Sequence, residues 1–355
     1  MPWELPIQGS AIWPLSWLLA AVFSALACTA WRPLARYFGF LDYPSERSLH
    51  AEPMVRAGGL PMALALALTL LLIPSSFVGS PVLALALGLA AGLMVIATWD
   101  DRRPLPVGPR LSLYLLLCAA MVFSLRDTPE ATRLLGDAPG WMLFWGVLFT
   151  LGLAWMTNLY NFMDGADGLA GGQGLIGFAA IAALALIQDA PQIALASLAI
   201  SGVCAGFLCW NFPPARLFLG DAGAIPLGFL AGAFALMLFL ETGLAPWLAL
   251  LPFAPFWLDA SVTLLRRILN REAFWRPHRS HFYQRLVRSG VGHRGTALVF
   301  YALMVLCGGL ALLGAGLASV LPSVLPGLGV SAVALVILVA TGFWIDGHFQ
   351  QAQRH

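Results

Sequence analysis

Apolar residues run along this chain in long unbroken blocks, without the regular polar interruptions that mark a solvent-facing helix or strand. Eleven blocks of about 17–22 residues stand out, at roughly 11–30, 58–78, 81–99, 110–125, 141–157, 169–187, 192–210, 223–240, 245–266, 296–318 and 325–345. Blocks of that length predict membrane-spanning helices, so the expected fold is an all-α polytopic membrane protein with about 11 spans. A barrel is excluded, because no block alternates with period two and Leu and Ala dominate where a lumen would need polar residues. The first block is long enough to span and has no small-residue cleavage site followed by a soluble domain, so it reads as a span rather than a cleaved signal. With 60% hydrophobic and 10% charged residues, the 355-residue chain is expected to form one integral-membrane domain over 1–355 instead of soluble domains.

Charge then orients the spans. All 19 basic residues are Arg. With eleven spans, seventeen of the 19 fall on one side, in the loops after every odd-numbered block and in the tail; only Arg126 and Arg133 fall on the other. The positive-inside rule therefore predicts an outside (periplasmic) N-terminus and a cytoplasmic C-terminus, with cytoplasmic loops at about 31–57, 100–109, 158–168, 211–222 and 267–295. The five Cys all lie inside apolar blocks and read as small buried hydrophobes; Cys204 and Cys209 have no His or acid nearby to suggest a metal pair.

Every unusual polar stretch shares the cytoplasmic side: "PSERSLHAEPMVRAGG" (44–59), "WDDRRPLP" (99–106), "NLYNFMDGADG" (158–168), "WNFPPARLFLGDAGA" (210–224) and "RRILNREAFWRPHRSHFYQRL" (266–286). The outer loops, such as "IPSSFVGSP" and "QDAPQ", are short and bland. Asp100, Asp101 and Asp164 each stand where a helix is expected to end, against the negative pole of its dipole. Asp100 and Asp101 read either as a solvated helix end paired with Arg102 and Arg103, or as part of a shared cation site. Hard oxygens without a His–Cys set favour Mg²⁺, with Mn²⁺ the alternative, over zinc.

Asn158, Asn161, Asp164 and Asp167 recur every third residue. On a continuous helix that spacing would spiral them half way round, but Gly165 and Gly168 break the helix. The expected picture is a stop near Asp164 and a restart with Asp167 as N-cap of the block at 169–187, lining one corner with amides and acids. Backbone N–H groups at that restart suit an anion or a base edge. Asp221, between glycines, repeats the pattern. Asp259 lies about two turns inside an apolar block with no partner at i±3 or i±4, and reads equally as a functional acid or as a brace between helices. The loop 266–294 holds eight Arg with His278, His281 and His293. It reads either as interfacial charge that meets anionic lipid, or as a basic lid over a phosphate-rich substrate.

Taken together these features describe an acid-lined, Arg-rich cleft cut into a helical bundle, suited to phosphoryl transfer onto a membrane-resident acceptor. The R-x-x-H…R-x-G-G loop (Arg47 to Gly59), the Asp100-Asp101 pair, N-x-x-N-x-x-D-G-x-D-G-L-A (from Asn158), N-x-x-P-A…F-x-G-D-x-G (from Asn211) and the Arg/His loop resemble the polyprenyl-phosphate N-acetylhexosamine-1-phosphate transferase family. That family includes the translocase making the first lipid intermediate of peptidoglycan and the GlcNAc-1-phosphate transferase that starts enterobacterial common antigen and O-antigen. The resemblance covers nearly the whole chain, and its Asn/Asp/Gly motif is the specific part.

The resemblance implies a Mg²⁺-dependent reaction in the bacterial inner membrane, with the site on the cytoplasmic face. A UDP-N-acetylhexosamine and undecaprenyl phosphate would give undecaprenyl-diphospho-sugar and UMP, priming O-antigen or another surface polysaccharide. It implies membrane lipids as surroundings, no nucleic acid, and a homodimer as the assembly to test. By motif, Asp100 or Asp101 would hold or deprotonate the lipid phosphate. Asp221 would be the main metal ligand, with Asp164 and Asn161 close to it. Gly165, Ala166, Asp167 and Asn211 would read the uracil edge, with Asn158 in the same corner, and Phe218 would stack on the base. Arg279 and His281 would grip the diphosphate or the sugar. Three departures stand out: the DD-x-x-K pattern loses its Lys, G-D-x-G-S becomes "GDAGA" with Ala224, and Tyr283 and Gln284 replace His in "PHRSHFYQRL". They argue against the peptidoglycan translocase and towards the O-antigen-priming type. A secondary transporter is the main competing class, but no inverted repeat is visible and the acids sit at helix ends. A CDP-alcohol phosphotransferase would need an Arg that "DGADGLAGG" lacks.

Overall fold

The computed structural model describes residues 11–44, 52–73, 79–103, 105–135, 139–273, 278–321 and 324–354. The chain is an all-α membrane protein. Its helices are α1 (Ile12–Tyr37), α2 (Gly59–Leu72), α3 (Pro81–Arg102), α4 (Val107–Ser124), α5 (Pro129–Leu135), α6 (Pro139–Phe162), α7 (Leu169–Ile187), α8 (Pro191–Asn211), α9 (Asp221–Thr242), α10 (Pro246–Leu250), α11 (Ala254–Leu269), α12 (Phe282–Leu286), α13 (Gly292–Val320) and α14 (Leu325–Ala352). A 3₁₀ turn, Leu251–Phe253, joins α10 to α11, and a π-turn, Val287–Val291, joins α12 to α13. Among the described residues, ten helical stretches are long and apolar enough to cross a membrane.

Each of the eleven expected blocks corresponds to a helix, but the second is short. Helix α2 has 14 residues, about 21 Å of rise against the roughly 30 Å of a bilayer core. Ile73, which precedes Pro74, is already extended (φ −88°, ψ 137°), as pre-proline residues tend to be. The expected end of that block, 74–78, lies outside the described residues, as do Arg47, His50 and Arg276.

Helices α7, α8 and α9 form the centre of the bundle; α1 and α7 pack on α8, while α3 and α6 pack on α9. Small residues let them approach. A Cβ at Gly228 of α9 would lie 2.6 Å from the Met156 carbonyl oxygen of α6, and one at Gly206 of α8 would strike the Ala21 carbonyl of α1. Polar side chains inside the bundle are used as braces: Ser24 donates to the Val203 carbonyl (2.7 Å) and Gln173 to that of Pro252 (3.0 Å). Large exposed apolar residues lie on the outer helices, such as Leu26 on α1, Leu116 on α4 and Val336 on α14.

One small sheet positions the site. Strands β1 (Leu41–Asp42) and β2 (Met54–Val55) pair antiparallel. The chain leaving β2 then runs beside the segment before α9. Phe218 N–H donates to Val55 O (2.8 Å), Gly58 N–H to Phe218 O (2.9 Å) and Gly59 N–H to Leu219 O (3.1 Å). A Cβ on Gly59 would strike the Gly223 backbone, so the Arg56-Ala-Gly-Gly stretch and the Gly-Asp stretch lock together through glycine contact.

Candidate active site

Four acids from separate parts of the chain meet at the ends of α3, α6 and α9. Asp100 and Asp101 occupy the last turn of α3. Neither pairs with Arg102 or Arg103, whose guanidinium groups lie over the rings of Phe40 (4.2 Å) and Trp99 (5.8 Å). Asp100 accepts from Leu105 N–H (2.6 Å) and pairs with Arg110 of α4. Asp101 Oδ1 pairs with Arg56 (3.1 Å), which also donates to the Asp101 carbonyl (3.0 Å). The other oxygen, Asp101 Oδ2, is buried with no hydrogen-bond partner. Asp101 lies within electrostatic reach of Asp221, Asp100 and Asp42. Of the two readings of the pair, the solvated helix end paired with Arg102 and Arg103 does not hold: arginines from elsewhere in the chain pair with both acids, whose side chains are largely buried.

Asp221 is the first residue of α9, whose N-cap is Gly220. Its Oδ1 accepts from Asn161 Nδ2 (2.7 Å), in the last turn of α6. Gly220 precedes it with φ +71°, a left-handed conformation that favours glycine. Asp164, two residues past α6, takes a hydrogen bond from the Gly220 backbone and faces Asp221 and Asp42. Burial, and then the negative Asp221 beside it, hold the Asp164 carboxyl well above the usual carboxylate range.

The 158–168 stretch does turn a corner, but with a different cap. Helix α7 starts after Gly168, which is left-handed (φ +76°) and caps without a side chain. Asp167 is not the N-cap; its Oδ2 accepts from Ala215 N–H (3.0 Å), because the loop after α8 crosses there and competes for it. Its own N–H donates to His293 Nδ1 (3.0 Å). Asn211 is buried, accepting from Gly168 N–H and donating to the Leu217 carbonyl (both 3.0 Å). Asn158 donates to Ala154 O on its own helix (2.7 Å). Gly165 is exposed and Ala166 buried, while Phe218 is half-buried.

The Arg/His loop forms the far wall. Asp259, only 2% exposed, accepts from Phe282 N–H and Tyr283 N–H (both 3.0 Å), Thr263 Oγ1 (3.2 Å) and His281 Nδ1 (3.1 Å). It thus braces α11 to the start of α12 and orients the buried His281 ring, which stacks on Phe162 (6.5 Å) and lies 4.9 Å from His278. The Tyr283 hydroxyl donates to Phe162 O (3.0 Å) and wedges under Gly165, where a Cβ would strike it. Arg279 is half-buried and its carbonyl accepts from Arg288 (3.3 Å). Part of the loop's charge is spent internally: Asp346 of α14 pairs with both Arg266 (2.6 Å) and Arg285, and Arg267 pairs with Glu272 (2.7 Å).

Two residues unmarked by the sequence join the site. Asp42 of β1 sits near Asp101 and Asp164. Tyr114 of α4 is 2% exposed, its hydroxyl has no hydrogen-bond partner, and its charged neighbours are Asp221, Arg110, Asp100 and Asp101. Tyr114 falls one turn after Arg110, a spacing that places both on one helix face. Among the described residues, no three His, Cys, Asp or Glu side chains form a chelating group. The donors do fit a hard divalent cation held by one or two carboxylates and completed by substrate oxygens and water. Asp101 Oδ2 is a buried orphan, all the donors are oxygens, and the acids repel one another.

Fold and site define a polytopic membrane protein with a cluster of acids at the ends of its helices. A family model, glycosyl transferase family 4, matches residues 83–239. The chain is 30% identical over 280 residues, 76% of its own length and 75% of the relative's, to the Bacillus subtilis (strain 168) protein named "Probable undecaprenyl-phosphate N-acetylglucosaminyl 1-phosphate transferase". It is 31% identical over 332 residues (80% and 77%) to the decaprenyl-phosphate N-acetylglucosaminephosphotransferase of Mycolicibacterium smegmatis. A shorter match, 44% over 89 residues (25% and 26%), is to the phospho-N-acetylmuramoyl-pentapeptide-transferase of Desulforudis audaxviator. The chain belongs to glycosyl transferase family 4.

Proposed function

We propose that this protein transfers N-acetylhexosamine 1-phosphate from a UDP-sugar to undecaprenyl phosphate, releasing UMP, at the cytoplasmic face of a bacterial inner membrane. The product would prime O-antigen or another surface polysaccharide. The observation that carries this reading is the meeting of Asp101, Asp164, Asp221 and Asn161 from three helix ends in one cleft. Relatives matching three quarters of the chain, and named for sugar-phosphate transfer to polyprenyl phosphates, support it. An oxygen of the lipid phosphate forms a bond to the phosphorus attached to the sugar. The bond from that phosphorus to the bridging oxygen breaks, and the bridging oxygen leaves with UMP.

In this reading each group has a task. Asp101 with Asp100 holds the lipid phosphate or takes its proton, and Arg56 and Arg110 fix the two carboxylates. Asp221 and Asp164 would hold Mg²⁺, and the buried, unpartnered Asp101 Oδ2 would be a further oxygen for it. When bound, the cation supplies neutralisation of the charge that grows on the diphosphate oxygens. Asn161 fixes the Asp221 carboxylate. Gly165, Ala166, Asp167 and Phe218 line the uridine end, while Asn158 and Asn211 hold the corner in shape. Arg279 and His281 serve the diphosphate or sugar from the far wall, with Asp259 as the positioning residue behind His281. Purified protein with Mg²⁺, undecaprenyl phosphate and UDP-linked N-acetylglucosamine, N-acetylfucosamine or N-acetylquinovosamine should release UMP with one of the sugars. Asp221→Asn and Asp101→Asn should abolish release while remaining folded. Normal turnover by both variants would show the site assignment to be wrong.

A further inference from the structure

Helix α1 packs on α8 along a stripe repeating every fourth residue: Ser16, Ala20, Ser24 and Cys28 are all buried. The same stripe continues as Arg32 and Arg36. Its change from small and uncharged to cationic coincides with the end of α8. Trp210, in the last turn of α8, donates to the Ala25 carbonyl (3.2 Å), and α8 stops at Asn211. The cationic end of the α1 stripe therefore lies past the end of α8. Arg216, from the loop after α8, joins it there; its N–H donates to Trp210 O (2.7 Å).

The three guanidinium groups lie close enough to repel. Arg36 and Arg216 are the like charges acting on Arg32. Arg32 lies over the Trp210 ring (4.3 Å), and its Nε is buried without a hydrogen-bond partner. Among the described residues none of the three has a carboxylate partner, unlike Arg56, Arg110, Arg266 and Arg285. Clustered cations with a buried orphan donor are stabilised by an anion that takes all three at once, and a phosphate ester does so. The level is interfacial. Tyr37 and Phe38 end α1 at 84% and 57% exposure, as aromatic residues do at the edge of a bilayer. Below them Leu34 and Leu26 are exposed for acyl chains.

We propose that Arg32, Arg36 and Arg216 form a headgroup site for one anionic phospholipid at the mouth of the α1–α8 seam, separate from the acid cleft. The test is native mass spectrometry of the purified full chain titrated with phosphatidylglycerol, with phosphatidylcholine, and with inorganic phosphate as competitor. Phosphatidylglycerol should be retained over phosphatidylcholine. Arg36→Gln, an exposed change that disturbs no packing, should weaken retention about fivefold, and the triple Gln variant about a hundredfold, as expected for basic residues facing an anionic headgroup. Arg133→Gln, on α5, should change nothing. Equal retention by the wild type and the triple variant overturns the proposal, as does an Arg133→Gln loss matching that of Arg36→Gln. Displacement of the lipid by inorganic phosphate at equal concentration also overturns it, since the site would then serve a soluble anion.

Discussion

Asp259→Asn isolates the brace behind the far wall of the cleft. The carboxylate takes four hydrogen bonds, from two backbone N–H groups of α12, from Thr263 and from His281, at 3.0–3.2 Å. The amide keeps one acceptor oxygen and turns the other into an NH₂ group. One of the two helix N–H groups then faces a donor. Losing a hydrogen bond to a charged group costs about 1.5–3 kcal/mol, and orphaning a buried donor about 1–3 kcal/mol. Relaxation recovers part of this, so a net destabilisation of about 2–4 kcal/mol is expected. The His281 ring also loses the anion that fixes its orientation and tautomer. Turnover should therefore fall at least about tenfold. Stability is read from denaturant unfolding in detergent and turnover from UMP release. The decisive arm is a double-mutant cycle with His281→Gln in UMP release, where the coupling should be about 1 kcal/mol or more. Full additivity of the two changes, or wild-type stability and turnover in Asp259→Asn, would refute the reasoning.

Three further outcomes are expected. The folded-state value of Asp164 is raised, so its contribution to stability is present below the ordinary carboxylate range and is lost as pH rises through the raised value. In EDTA, Asp164→Asn should thus melt above wild type at pH 8 with the gap closing at pH 4, while in a separate assay with Mg²⁺ its UMP release falls at least about a hundredfold; a variant melting below wild type at pH 8 contradicts the repulsion. Burial, and then His281 and Arg267, push the His278 imidazole from 6.5 down to about 4. The unfolded chain takes up that proton first, so stability falls as pH drops from 6.5 towards 4, and His278→Asn should flatten this limb of the melting curve. Tyr114→Phe removes the orphan hydroxyl among the acids; KM should rise about tenfold with the melting temperature unchanged, and an unaltered KM counts against a ligand contact there.

The spans were legible because burial in lipid needs long apolar blocks, and block length is a local property of the chain. The corner at Gly165–Gly168 was legible too, since glycine and asparagine mark a broken helix. Its cap was not. Whether Asp167 caps α7 depends on where the loop after α8 passes, and Ala215 N–H is 48 residues away. Partner choice was hidden for the same reason: Asp100 and Asp101 stand next to Arg102 and Arg103 in sequence, yet pair with Arg110 and Arg56. Asp42 and Tyr114 carry no motif, and only the folded chain brings them to the acids. Asp346 carries no motif either, yet it neutralises Arg266 and Arg285, which the charge pattern alone leaves between interfacial charge and a basic lid.

Electron paramagnetic resonance of Mn²⁺ added to the purified protein, with and without UMP, tests the shared-ion claim most directly. One tightly bound Mn²⁺ per chain is expected, with phosphorus coupling from the nucleotide and at least about tenfold weaker binding in Asp221→Asn and Asp101→Asn. Unchanged Mn²⁺ affinity in both variants, or a bound ion with no phosphorus coupling, would contradict it.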